Sequence, residues 1–339
     1  MKIRLIAMAM ISAIFMQMAA VPASGARGAS EQNVYPAMEK EFGYKDFNFL
    51  RVSHDPVSGR GTYCFSKFNI SVVKSDQYKV VMSVKNRDDI PLFDIRHNGN
   101  ELELIANPKR YPYHSRGGAE PVADVKIYMP EFSGAAVGGS SSISLSGDFF
   151  GPVLTLKLSG SAYMTGLSGK WDSASVNMSG ASKAECGTIK VGTLALEASG
   201  AASLTFQSLS ADRTGASFSG AAVVKTPDIC SGELKLTASG GSALSFSGKM
   251  TSVNATLSGA ASVTLSGSGQ SLALTASGGS SLKARTLMMH DVSVSLSGAS
   301  KAEVAATDNL VTEVSAAASL DYYGNPKNVR SKSDNIRAH

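Results

Sequence analysis

Cysteine is scarce in this chain: Cys64, Cys186 and Cys230 are the three in 339 residues. So few thiols cannot staple a fold of this length, and no Cys/His spacing matches a zinc site. Aromatic residues make up 7% of the chain and charged residues 17%. The charges are of both signs and scattered, with no basic stripe along one face. That argues against nucleic acid as a partner despite a formal net charge of +5. Long apolar runs are missing too. The only one, Leu5 to Met18, is too short to span a bilayer comfortably, follows Lys2 and Arg4, and is followed by small residues. It reads as a secretory signal over 1–26, cleaved after Ala23 or Ala26, so the protein is expected in the periplasm, at the cell surface or secreted. No Cys ends the run to accept a lipid.

What is abundant is a Ser-Gly repeat. It recurs at Gly160, Gly180, Gly200, Gly220, Gly240, Gly259, Gly278 and Gly298, each preceded by Ser, at a spacing of 19 or 20 residues. A ninth copy reads Ser315-Ala316. Self-similarity at this period is the mark of a solenoid. With each Gly as position zero, apolar residues fall at −6, −4 and −2 (Leu154, Leu156, Leu158) and again at +4 and +6 (Leu204, Phe206). A weaker apolar site lies near +9: Ile189, Leu209, Ile229, Leu287. This is the period-two pattern of strands with one buried face.

The reading is all-β: a single-stranded parallel β-helix of about 20-residue coils, two or three short strands to a coil. The winding is expected to be right-handed, as parallel crossovers are. Nine coils at about 4.8 Å each make a rod roughly 40 Å long. At −2 the side chains alternate in size through Ala198, Phe218, Ala238, Leu257, Ala276 and Leu296, so each large one should stack over a small one. The residue at +2 is always small, which implies a tight corner, and Gly at zero supplies positive φ or close backbone approach. Cys186 and Cys230 fall two coils apart, beyond disulfide reach, and both read as small core hydrophobes.

Around the solenoid, 27–43 reads as a linker with a helical turn near Met38 to Phe42. Residues 44–130 alternate without the repeat and read as strands that lead into and cap the first coils. Asn98-Gly99-Asn100 is a hairpin signal, and 108–121 is a Pro- and Tyr-rich surface loop. The repeats occupy 131–320, and 321–339 is a polar tail that covers the other end.

Three stretches carry a family resemblance. They are Phe68-Asn69-Ile70-Ser71-Val72 with Asn100-Glu101-Leu102-Glu103-Leu104, then the Ser-Gly-Ala and Ser-Gly-Gly repeat, then Leu320-Asp321-Tyr322-Tyr323-Gly324-Asn325-Pro326. Together they resemble the bacterial family of auto-transporter adhesin head GIN-domain proteins, over roughly 44–330. The resemblance implies an exported β-helical domain with a role in adhesion and no catalytic residues to carry over. Many relatives are lipoproteins; this chain lacks their Cys.

Catalysis on a β-helix needs acids, or an acid with Lys or Arg, converging over adjacent coils. Here Glu185, Glu303, Asp172, Asp212 and Glu233 fall at scattered offsets, and His290 is the one solenoid histidine. The chain therefore reads as a non-enzyme without metal or cofactor. Its partner would be a protein or glycan at the cell envelope or a host surface; a structural envelope spacer is the alternative. Candidate contact residues are the aromatics outside the apolar pattern, Tyr163 and Trp171, and Tyr111 and Tyr113 of the loop. The serine row at −1 reads first as turn chemistry, with hydroxyls bonding neighbouring backbone.

Overall fold

The computed structural model describes residues 38–54, 66–107, 120–332 and 335–339. The signal segment 1–26, most of the linker, Cys64, Tyr111 and Tyr113 lie outside them.

The described chain is a β-solenoid. Its first strands are β1 (Met38–Phe42), β2 (Phe49–His54), β3 (Lys67–Lys74), β4 (Lys79–Val84), β5 (Phe93–Asn98), β6 (Glu101–Ala106) and β7 (Val122–Met129). They do not stack in chain order. β6 and β7 lie parallel on β2 and β3, and β2 and β3 lie parallel on β8 (Gly134–Val137) and β9 (Ser142–Ser146). β5 and β4 then pair antiparallel on β6 and β7, with β1 antiparallel on β4. The hairpin at Gly99 is as expected, at φ +61. Residues Met38–Phe42, expected as a helical turn, are a strand instead: the exposed edge of β4 templates them, Met38 opposite Val84. Edge pairing outweighs a weak local preference for helix.

From β10 (Asp148–Leu158) the coils are regular: β11 (Tyr163–Met178), β12 (Lys183–Ala198), β13 (Ser203–Phe218), β14 (Val223–Ala238), β15 (Ala243–Leu257), β16 (Ser262–Ala276), β17 (Ser281–Leu296) and β18 (Lys301–Val314). Each pairs parallel with the next. The tail is not merely polar cover. β19 (Ser319–Tyr323) pairs with β18, and β20 (Asn328–Ser331) and β21 (Ile336–Ala338) lie parallel on β18 and β19.

The ladder runs unbroken round most of each coil, so the short strands expected from the sequence join into one of up to 16 residues. A straight strand of that length would span about 50 Å, yet Phe218 returns to lie beside Ala238, so the strand must bend. The burial pattern of β13 shows where. Leu204 and Phe206 point in, then Leu209 and Ala211, then Thr214, Ala216 and Phe218; alternation fails at Gln207-Ser208 and at Asp212-Arg213. Two consecutive outward residues turn a corner. The coil thus has three sides, and the Ser-Gly turn closes the third corner.

That corner is held by stacked peptides. The amide after each Gly donates to the Gly carbonyl of the coil before, as from Ala201 to Gly180 at 2.8 Å and Ala221 to Gly200 at 2.7 Å. Every corner Gly has φ between +64 and +69, and Ala316 adopts the same conformation at +59. A Cβ on Gly220 would lie 2.7 Å from the Gly200 carbonyl oxygen. Glycine is therefore needed for both φ and space. The +2 residues behind the corner are buried, among them Ala162, Ser182, Ala202 and Ala222.

The lengths of the coils vary, and the variation falls almost wholly at one corner. Ladder shifts occur at Thr165/Leu167, Thr226/Ile229, Thr264/Ser266 and Ala284/Met288, all just past +4 or +6. None falls at the Ser-Gly corner.

Inside, Phe218 lies between Ala198 and Ala238 in the ladder, and all three are buried. A further inward column escaped sequence reading: Trp171, Val191, Ala211, Ser231, Met250, Gly269 and Met289 stand in successive coils. Large and small members alternate only in its last coils, Ser231 to Met289. Gly151 faces the Trp171 ring, and a Cβ on Gly269 would lie 2.8 Å from the Met289 sulfur. Because the positions on both sides of Cys230 point inward (Ile229 and Ser231), Cys230 points out. It is exposed, contrary to the sequence expectation, while Cys186 is buried and its thiol is pushed up to about 12 by desolvation.

Candidate functional site

The wall between the second corner and the Ser-Gly corner is the most regular surface. Its inward rows are the −6, −4 and −2 residues, so its outward rows are −5, −3 and −1. The −3 row runs Lys157, Asn177, Glu197, Ser217, Thr237, Thr256, Thr275, in register. Over its first four coils a groove of about 550 Å³ opens between this row and the serine row. In the −3 row the side chains from Ser217 to Thr275 are short; Lys235 of the −5 row is the long side chain beside them.

Three hydroxyls of the serine row are turned onto the backbone. Ser239 Oγ donates to the Phe218 carbonyl at 3.4 Å, Ser297 to Ala276 at 3.5 Å and Ser315 to Leu296 at 3.2 Å. In each case the acceptor is the −2 carbonyl of the coil before. The buried Ser280 and Ser300 hydroxyls donate to Ser277 and Ser297 carbonyls at 2.8 Å. These are turn bonds, as the sequence suggested.

Two charged clusters sit on other walls. Near the start, Tyr163 donates to Glu185 Oε2 at 3.0 Å and Lys183 Nζ lies 2.6 Å from Glu185 Oε1. The Lys183 bond, then the Tyr163 bond, hold the Glu185 carboxyl below its ordinary range. Near the far end, Lys327 Nζ lies 2.6 Å from Asp308 Oδ1 and His290 Nδ1 lies 2.7 Å from Asp308 Oδ2. Lys327 first, and His290 second, lower the Asp308 carboxyl, and Asp308 raises Lys327. Offsets hid this cluster. His290 is at +12 and Asp308 at +10, but the ladder shifts at Ala284/Met288 and Met289/Asp291 together bring them side by side. Asn309 and Asn328 extend the polar stack beside it, bonding Asp291 and Asn309 in turn.

Of the aromatics expected at a contact surface, Trp171 is not at the surface and Tyr163 is; Tyr111 and Tyr113 lie outside the described residues. Trp171 is 1% exposed and its Nε1 donates to the Phe132 carbonyl at 3.2 Å, so the ring is core packing under the first coils. The apolar pattern omitted its column because Ala211, Ser231 and Gly269 share it. Tyr163 is exposed, its hydroxyl on Glu185 and its ring beside Lys183. The Ser-Gly glycines do gather, in one column along the rod. Among the described residues no three of His, Cys, Asp and Glu are grouped to hold a metal. Nor is any helix there long and apolar enough to cross a membrane.

Set beside known proteins, the chain matches the family described as "Putative auto-transporter adhesin, head GIN domain" twice, over residues 63–227 and 216–326. The chain belongs to this family. The GIN-family match takes in the irregular strands from β3 on as well as the repeat, and ends after β19. Solved structures similar to this GIN-family chain include a putative adhesin from Parabacteroides merdae, at 12% identity and a TM-score of 0.37, with 89% of this chain and 96% of that one covered. Another is a putative adhesin from Parabacteroides distasonis, at 14% identity and 0.37, covering 90% and 97%. A third, named a putative lipid binding protein, also from Parabacteroides distasonis, aligns at 11% identity and 0.34, covering 89% and 96%. Among curated proteins none matches.

Proposed function

We propose that this GIN-family solenoid is an exported, non-enzymatic binding module that contacts a glycan or protein at the cell envelope or a host surface. The observation that supports it most is the polar wall with its 550 Å³ groove. Lys157, Glu197 and Ser217 line that groove without a hydrogen bond or ion pair among the described residues, so their polar groups are open to a partner. The family description favours the same reading. Of the solenoid acids, Glu185 pairs with Lys183 and Asp308 with Lys327 and His290, while Glu303 and Asp321 are ladder neighbours with Asp321 bonded to His339. Residues 44–130 in this reading cap the rod, and 131–320 with 321–339 form its length. A structural spacer is the second reading, favoured by the serine row's bonds to backbone.

Probing glycan and extracellular-protein arrays with the full chain, paired with surface protease shaving of the source cells, tests the proposal. Specific capture that weakens in Lys157→Ala and Glu197→Ala supports binding through the wall. A chain that captures nothing on either array, yet is present at the envelope, is a spacer.

A further inference from the structure

A second depression, of about 290 Å³, opens on another side of the rod over three successive coils. Lys249 and Thr251 of β15, Ser268 and Gln270 of β16 and His290 of β17 line it. The ladder aligns Lys249 with Ser268, and Ser268 with Met288, so these side chains rise from neighbouring rungs about 4.8 Å apart. Its floor is backbone at Met250 and Gly269. A Cβ on Gly269 would lie 1.9 Å from the Met250 carbonyl oxygen, so this rung is held as glycine.

The side chains form a set with a definite chemistry. Lys249 makes no ion pair among the described residues, so its ammonium is free to take an anion. His290 is fixed from behind: Lys327 holds Asp308, and Asp308 accepts from His290 Nδ1 at 2.7 Å. With Nδ1 carrying the hydrogen, the neutral ring offers Nε2 as an acceptor. Gln270 supplies both a donor and an acceptor, and Ser268 and Thr251 supply hydroxyls. Met288, 44% exposed, stands next to Ser268 and two residues from His290, a small apolar surface beside the polar ones. One cation, one oriented acceptor, an amide, hydroxyls and a thioether face match a ring that carries a carboxylate, vicinal hydroxyls and C–H bonds.

We propose that this corner binds an acidic sugar unit of a glycan, with Lys249 on the carboxylate and His290 Nε2 on a ring hydroxyl. The proposal rests on the binding-module reading but uses a different side of the rod from the groove at Lys157. Asp308 is a positioning residue that acts through His290.

The test is titration of the full chain with an α-1,4-linked galacturonic acid tetramer, and with its methyl ester, by calorimetry. The acid should bind and the uncharged ester should bind at least about tenfold more weakly. Lys249→Met should lose about tenfold or more, the range for a hydrogen bond to a charged group. His290→Ala should lose less, and Asp308→Asn should weaken binding in step with a changed His290 ring signal in NMR. Lys170→Met, in the same ladder column four coils before Lys249, should change nothing. No binding of the acid, equal binding of the ester, or an unaffected Lys249→Met with an unchanged fold would each overturn the inference. Array capture that survives in Lys249→Met while the tetramer fails to bind rejects this corner and leaves the wall standing. Tetramer binding that Lys249→Met abolishes, with no array capture at all, supports the corner and rejects the wall.

Discussion

Phe218→Ala is the sharpest probe of the inward register. Phe218 is 1% exposed, and the residues stacked on it are Ala198 and Ala238. Truncation leaves a ring-sized cavity whose two axial walls are single methyl groups, which cannot swing in to fill it. The cost should lie in the upper part of the range for buried aromatics, about 4–5 kcal/mol. Ala198→Leu alone overpacks the same layer, at about 1–3 kcal/mol. In the double variant the new leucine enters the space the ring left, so the two costs should fall short of their sum by about 0.5–3 kcal/mol. Ser219→Ala, one residue on and exposed, should cost about 0.5 kcal/mol or less. Because stability in a solenoid is spread over nearest-neighbour interfaces, denaturant midpoints of the four variants are best read with amide exchange across β12 to β14. Equal costs for Phe218→Ala and Ser219→Ala, or strict additivity with Ala198→Leu, would refute the stacking.

Gly220→Ala combines a left-handed backbone with a Cβ 2.7 Å from a carbonyl oxygen and should cost more than about 2 kcal/mol, whereas Ala316→Gly relieves φ +59 and should gain up to about 1 kcal/mol; chemical denaturation reads both. The Asp308–Lys327 clamp should show a pH window. Asp308 has a lowered folded value, so its contribution is complete above the ordinary Asp range, about 3.9, and is lost as pH falls through the lowered value. Lys327 has a raised one, so its contribution is complete below about 10.4 and is lost as pH rises through the raised value. Amide protection of β20 in the parent relative to Asp308→Asn, followed from pH 7 to pH 3 and again in high salt, should fall toward parity at the acid end and in salt; a constant ratio would show that the clamp holds nothing.

The repeat was legible because three signals coincide on one period: strict alternation, a small residue at +2, and Ser-Gly at the one corner whose backbone conformation restricts residue choice. The other two corners are turned by ordinary outward pairs such as Asp212-Arg213, which carry no special residue type. Their positions were therefore soft in the sequence, and the column of Trp171 and Met250 was lost with them. Cys230 was misplaced for the same reason, since its direction depends on which of its neighbours point inward. The order of the N-terminal strands was hidden for another reason. β2 and β3 lie between β6/β7 and β8/β9, a placement set by long-range pairing that no local pattern records. The polar cluster at Asp308 needed the ladder itself, because a change in coil length moves equivalent rungs to different offsets.

The place where coil length changes has an engineering consequence. Thr226 to Ile229 pairs with Phe246 to Gly248, three steps against two, and the register is regained at once on either side. The corner at Pro227-Asp228 thus behaves as an expansion joint. A foreign peptide spliced there would hang from the side of the rod without displacing a single rung above or below it. One residue spliced between Ser219 and Ala221 would have no such slack, and would shear every carbonyl-to-amide contact in the glycine column beyond it.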